Sequence, residues 1–536
     1  MVPPDPQKRL SSSSAKVVSG ALIGLVKVSV MALVYTMPLF GAWAASSLAA
    51  YRNGPTWVPL AAAVACFPVL PVAWEALASW RRRRGKDASE RILTLADRLT
   101  LRTFAVNGLF LLAVLVWFPT QLFTALSARG DWFIEGSSGP AAQTTRRVAF
   151  AVAERFEWLY DWTHDNPFAE AETEALQDDV EPQAGVLPSD VGAQREHRDA
   201  SASAVDTVRT AAEEPSGQGE GPSQTQTEPP TTSSEGRRKP TSPTLASRPP
   251  TWPLSNRLHP IVGTLPPKLQ TSPESVGRAI AASVADPFER VKAVHDYVAD
   301  RIAYDVPSYL SRNIPSQEAD TVFHARRGVC SGYAKLMVAI GTAAGIETKY
   351  IVGSSRDMGG DVSGQGHAWN AVRVGQRWFL LDATWDAGSV SGSGFNKGYR
   401  SDYLLTPPGI FGANHLPDDP AWQLRAKPIS HAEFIRQPNL RPSFHAMGLR
   451  MQHPTRSQVS VEEPFVAEVE NPQGRFMTAS YEDKYAPFDE RCTVTDGPVI
   501  RVQCDMRPGT YHVKLFANEE RFGVFDYVGQ FEVNRR

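Results

Sequence analysis

The chain has 536 residues, with 55 lysines and arginines against 57 aspartates and glutamates, giving a formal charge of −2. That length exceeds one ordinary domain, and the near-neutral balance gives no electrostatic ground for a nucleic-acid partner. Four cysteines, Cys66, Cys330, Cys492 and Cys504, are too few for a disulfide-dense miniature scaffold.

Residues 1–126 read as a membrane anchor of about three transmembrane helices. Val28 to Ala50 carries no charge and reaches the ~20 residues that cross a hydrocarbon core. Trp57 to Ala73 is a second apolar stretch, interrupted by Pro68 and Pro71, and Phe104 to Leu126 is the third. Arg81 to Arg84, Lys86, Arg91, Arg98 and Arg102 lie between the second and third stretches, and Lys8, Arg9 and Lys16 precede the first. Basic segments of this kind stay cytoplasmic, so three crossings place everything after about Ser127 outside. The expectation is a multi-pass protein of the cell membrane, with the lipid bilayer as one partner and the rest of the chain extracytoplasmic. A transporter is disfavoured by too few spans and no intramembrane charge network.

Residues 127–164 form a juxtamembrane segment, in which Arg147 to Trp162 is amphipathic enough for a short helix at the interface. Residues 165–253 are rich in Glu, Ser, Thr, Gln, Pro and Gly with almost no aromatics, which predicts a disordered linker giving a soluble head reach above the membrane. Order resumes near Leu254. Ser272-Pro273-Glu274 and Asp286-Pro287-Phe288-Glu289 are helix starts, and Val291, Val294, Val298 and Ile302 recur on one helical face. Residues 254–449 are expected to be the catalytic domain and 450–536 a β-sandwich of immunoglobulin-like type. In the latter, Phe465 to Val469, Val499 to Val502, Tyr511 to Phe516 and Phe525 to Val533 read as short strands between turns. A hairpin centred on Pro498 would set Cys492 opposite Cys504, which outside the cytoplasm favours a disulfide over two buried thiols.

Chemistry concentrates around Arg327-Gly328-Val329-Cys330-Ser331-Gly332-Tyr333-Ala334, where a helix-like run follows the cysteine to a stop at Gly345. A cysteine at a helix N-terminus gains thiolate character from the dipole, and the same N–H groups can hold an oxyanion. Taken alone it is more often a packed, inert thiol. Further on, His367 to Val374 reads as a strand, Gly375-Gln376 as a two-residue turn and Arg377 to Asp382 as the returning strand. Val374 then faces Arg377 and His367 faces Thr384, so Asp382 shares a face with His367 as a diagonal neighbour, roughly 7–8 Å away at the backbone. In thiol-enzyme logic Cys330 is the nucleophile, His367 the proton carrier and Asp382 the group that fixes the imidazole tautomer.

These residues resemble the transglutaminase-like superfamily, through G-V-C-S-G-Y-A at Gly328 to Ala334, H-A-W-N at His367 to Asn370 and L-D-A-T-W at Leu381 to Trp385. Downstream, Phe395-Asn396-Lys397, Asp402 to Pro408, His415-Leu416-Pro417-Asp418-Asp419-Pro420 and Trp422-Gln423-Leu424 are similar to the kyphoscoliosis peptidase branch. The resemblance covers about Leu254 to Leu449 and implies an α+β papain-like core with Cys330, His367 and Asp382 catalytic. The branch also includes relatives that work as scaffolds.

Other residues carry weaker signals. Trp385 is a candidate shield for the His367–Asp382 pair, Tyr333 and Trp369 candidate packing around it, and Gln317 either an oxyanion donor or an exposed loop residue. His415 with Asp418 and Asp419 makes an unconvincing metal set, so no metal or cofactor is expected. The leading expectation is acyl transfer on a protein or peptide substrate, as peptidase, amidase or cross-linking enzyme. The rival is a non-enzymatic envelope scaffold.

Overall fold

In the computed structural model, described over residues 32–33, 36–53, 57–84, 93–137, 139–163, 166–169, 248–356, 364–392, 394–484 and 489–536, the N-terminal third is helical. Helix α1 spans residues 36–51. It covers most of the expected span Val28 to Ala50, whose first residues lie outside the described residues. Helix α2, Trp57–Arg84, and helix α3, Leu95–Trp117, are long and apolar enough to cross a membrane by length and composition. The first runs past its expected end at Ala73, and the second starts before its expected Phe104. In α2 the break falls at Phe67, whose extended backbone (φ −155°, ψ 118°) is the conformation a residue before proline prefers, and the helix resumes beyond it. The pair is antiparallel, and Glu75 on α2 meets Arg98 and Arg102 on α3 at 3.1 and 2.5 Å.

The third expected span, Phe104 to Leu126, is corrected. Helix α3 ends at Trp117, Phe118 leaves helical geometry, and Pro119 opens a separate helix α4, Pro119–Arg129. Proline tolerates the first position of a helix but not its interior. Helix α4 is buried from Leu122 to Arg129 and packs, through Phe123 and Ala128, against Ala432 and Ile435 of the downstream domain. Helices α5, Pro140–Glu154, and α6, Glu157–Thr163, take the place of the expected single interfacial helix. Their inner residues Phe150, Ala153, Leu159 and Tyr160 are buried, while Val148, Val152, Trp158 and Trp162 are exposed.

This helical module is clamped to the rest of the chain. Arg456 holds Asp131 with two nitrogens at 2.9 and 2.7 Å, and Arg436 reaches Glu154 at 2.9 Å. Glu135 accepts from Arg129, Arg536 and the Ser460 amide. Asp131 and Arg129 are both buried, where such pairing matters most. The expected linker is corrected at its start: residues 166–169 are docked, with Asn166 Nδ2 donating to the Gly353 carbonyl and to Asp418. Residues 170–247 of the expected disordered linker lie outside the described residues, and its last residues, 248–253, are described.

The middle of the chain is α+β. Helices α7, Pro273–Ser283, and α8, Pro287–Arg301, start where their sequences predict, with Ser272 and Asp286 accepting amide hydrogens as N-caps. Helix α9, Cys330–Ala343, packs on both and ends before Gly345, whose φ of +72° suits glycine. Val291, Val294, Val298 and Ile302 are fully buried in the core these helices share. A five-stranded antiparallel sheet covers them. In chain order its strands are β1 (Glu347–Ser355), β2 (Gln365–Val374), β3 (Arg377–Leu381), β4 (Leu404–Thr406) and β5 (His415–Pro417), and in space the order is β4-β3-β2-β1-β5.

The C-terminal part has two sheets around a separate apolar core. Its four predicted strands occur as Phe465–Glu470, Val499–Cys504, Gly509–Asn518 and Asp526–Arg535. Asn439 and Leu440 pair with Gln530 and Gly529, and Leu440, Phe444 and Leu449 join this core, so the boundary lies before the expected 449/450. Thr493 pairs with Gln503, which sets Cys492 opposite Cys504, and the two are bonded.

Candidate active site

The hairpin forms in the expected register. Val374 faces Arg377 and Asn370 faces Leu381, with Gly375 at φ +63° in the two-residue turn. The ladder stops at Leu381. Asp382, one residue beyond β3, donates its amide to the Tyr403 carbonyl at 3.0 Å. Its side chain turns toward β2, where His367 Nε2 lies 2.8 Å from Asp382 Oδ2. The other face of the imidazole meets Cys330, the first residue of α9. Cys330, His367 and Asp382, predicted from separate motifs, are therefore brought together.

Close packing sets the cysteine. A Cβ on Gly332 would come within 2.4 Å of Gln317 Oε1 and 2.8 Å of Val322, so only glycine lets the first turn of α9 seat this deeply. Gln317 is half-buried and bonded to the backbone on both sides of its amide. Its carbonyl accepts the Val329 amide at 2.8 Å and its amide donates to the Pro315 carbonyl at 2.9 Å, bracing the approach to the helix. Tyr333 is a packing residue, fully buried, with its hydroxyl on the Ile302 carbonyl. Trp369 and Trp385 flank the imidazole at ring distances of 6.0 and 5.5 Å.

Asp382 is fully buried and accepts four hydrogen bonds. The Thr384 and Trp385 amides reach Oδ1 at 2.8 and 3.3 Å, while His367 and His415 both reach Oδ2, at 2.8 and 3.1 Å. Burial alone would raise its pKa, but the two imidazoles outweigh burial and hold the carboxyl well below the usual range. Burial likewise pushes His367 down. The charges of Asp382 and Cys330, with hydrogen bonds to both, reverse that and lift it to about 10. In His415 burial prevails, leaving it at about 4.

His415, Asp418 and Asp419 point to different places. His415 turns to Asp382, Asp418 accepts from Asn166, and Asp419 caps the amide of Ala421. His367, Asp382 and His415 do bring three ligand-type atoms within 4.8 Å, but these atoms already bond one another. The His415–Asp382 contact escaped sequence reasoning. Its one signal was the H-L-P-D-D-P motif, which no hairpin count could place, since β5 joins the sheet on the far side of β1. Phe168 was missed as well: it is buried beside Cys330, Val329 and Tyr350.

Cys330 and His367 line a cleft of about 920 Å³. Tyr304, Tyr309, Leu310, Trp385, Val390 and Phe395 supply apolar lining, and Asp483, Lys484, His512 and Lys514 of the C-terminal sheets supply a charged part. Such a site can deliver a thiol nucleophile and a proton to a group bound in the cleft.

Residues 274–383, which include all three site residues, match the transglutaminase-like superfamily. The chain is 32% identical over 179 residues to kyphoscoliosis peptidase of Mus musculus and 31% identical to that of Homo sapiens. These alignments cover 32% of this chain and 27% of each relative, so the chain spans about a quarter of the length of the curated relatives it matches. A crystal structure of a TGase aligns at 20% identity and a TM-score of 0.19, over 24% of this chain and 34% of that one.

Proposed function

We propose that the transglutaminase-like domain this chain carries at residues 274–383 is a Cys-His-Asp acyl-transfer enzyme acting on polypeptides. The observation that carries the reading is the arrangement of His367, held between Cys330 and Asp382 at a cleft wall. The Cys330 sulfur attacks a substrate carbonyl carbon, and His367 gives its proton to the leaving amine as the carbon–nitrogen bond breaks. The product is a thioester on Cys330. Water or an amine then attacks the thioester carbon and loses a proton to His367, and the sulfur leaves as thiolate. Asp382 holds His367 with Nε2 toward the carboxylate, which keeps Nδ1 for the sulfur.

The size of the cleft and its two kinds of lining suit an extended polypeptide better than a small amide. Exposed apolar residues along α2 and α3, among them Leu60, Val69, Leu109, Leu112 and Val116, support a membrane hairpin. Arg81 to Arg84 end α2, at the opposite end of the hairpin from Trp57 and Trp117. With the basic end cytoplasmic, the catalytic domain lies outside and its substrates are extracytoplasmic.

The test is mass spectrometry of membrane extract after denaturing trap of the acyl-enzyme. A mass adduct on the peptide containing Cys330, absent from Cys330→Ala, is expected and would identify the acyl donor. Equal turnover of a reporter peptide by wild type and Cys330→Ala would overturn the reading.

A further inference from the structure

We propose that His415 is a positioning residue of this site, acting on His367 through the carboxylate they share. The inference deepens the thioester reading and rests on it. His415 comes from β5, reaching the site because β1 pairs with β5 on one side and β2 on the other. Gly353, opposite both His367 and Pro417, makes that possible: a Cβ there would sit 2.2 Å from the Leu416 carbonyl and 2.6 Å from Trp369.

A core-filling role is the simpler account of a buried histidine, and the ring does fill space among Trp369, Trp385, Tyr403 and Phe411. Packing alone would be met by phenylalanine, without the cost of burying an imidazole. The Nε2–Oδ2 distance of 3.1 Å shows what the imidazole adds. The last torsion of an aspartate is soft, so a carboxylate keeps its orientation only through its hydrogen bonds. Backbone amides hold Oδ1 of Asp382. On the oxygen that receives His367, His415 is the second restraint. Without it Oδ2 can swing from His367, and the imidazolium that pairs with the Cys330 thiolate loses part of its support. The titratable groups around His415 are Asp382, His367 and Tyr403. Its own low value leaves it neutral at pH 7, a donor to Asp382 rather than a competing cation.

The test uses the full chain in detergent, the pH profile of reporter-peptide turnover between pH 5 and 11 and, beside it, the rate of Cys330 alkylation by iodoacetamide at pH 6. His415→Phe keeps the ring and removes the donor. His415→Asn is polar but too short to reach Oδ2, and it carries the test if the Phe variant does not fold. His415→Gln restores an N–H near the Nε2 position. Expected for Phe and Asn is an alkaline limb of turnover about one pH unit lower than in wild type, with Gln recovering it. An unchanged limb in Phe and Asn, or a Gln variant as impaired as Phe, would overturn the role of His415 and leave the thioester reading standing. A wild-type alkylation rate at pH 6 no faster than that of glutathione would overturn the thioester reading and the role of His415 together.

Discussion

Two buried charge clusters hang on one loop and invert each other's composition. At Asp382 a carboxylate is held by two imidazoles, His367 and His415. Four residues on, Asp386 belongs to a cluster in which one imidazole, His295, lies between two carboxylates, 3.1 Å from Asp296 and 3.2 Å from Asp386. Lys292 and Tyr399 complete the second cluster. His295 and His367 are both raised, to about 9 and about 10, because nearby carboxylates outweigh burial. What separates them is access. His367 lines the cleft beside a thiol, whereas both nitrogens of His295 face carboxylates and the ring is wholly enclosed. Burial pushes Asp386 up, to about 7, yet its oxygens meet only donors, the Tyr403 amide and His295, and that geometry suits the ionised form. On the proposed acyl-transfer reading, the same electrostatics serve chemistry at His367 and architecture at His295.

The largest expected contrast sets Asp382→Asn against His295→Ala. The first should lower turnover about 10⁴-fold and cost only about 1–3 kcal/mol, because the amide keeps the shape, strands one buried donor and no longer favours the correct tautomer. The second should cost about 3–5 kcal/mol of stability in chemical denaturation by stranding two buried carboxylates, while its folded fraction still alkylates at Cys330. If His295→Ala stays stable yet loses alkylation, the division between the clusters is wrong.

Next in size is the pair's dependence on pH. His295 sits above the ordinary histidine value of about 6.5, so its stabilisation is full below that value and fades as pH rises through about 9. The thermal midpoint should fall between pH 7 and 10 in wild type, and that part of the slope should be missing in His295→Ala. Turnover of a reporter peptide should hold across neutral pH and decline only as His367 loses the proton it gives to the leaving amine, near about 10. A decline already complete by pH 8 would break the proposed pairing.

The smallest effect marks the distance between domains. Removing the Cys492–Cys504 bond, which spans 12 positions, should cost about 3 kcal/mol of the C-terminal unit by loosening its unfolded chain's constraint. Alkylation kinetics at Cys330 should change less than twofold, and a larger change would mean that the charged wall of the cleft depends on this hairpin.

Much of the site was legible because its parts are local. A two-residue turn sets hairpin register, so His367 and Asp382 share a face whatever surrounds them, and a glycine-flanked cysteine before an apolar run marks a helix start. The N-caps at Ser272 and Asp286 and the hairpin that joins Cys492 to Cys504 were readable for the same reason. The third span was misplaced by nine residues at each end because hydropathy continues smoothly through Phe118, while Pro119 ends the helix there and α4 spends its apolar face on the downstream domain. The bracing contacts of Gln317 were not readable because they depend on which backbone lies beside it.

By itself, then, the sequence determined the cysteine at a helix start, the His–Asp register, the helix starts and the apolar hairpin, all consequences of spacing along a chain whose geometry repeats. Only the tertiary structure decided that the helices at 119–163 clamp onto the downstream domain, that the C-terminal sheets wall the cleft and that His415 joins Asp382. Each of those is a contact between segments far apart in the chain, and no periodicity encodes which buried polar group will meet which.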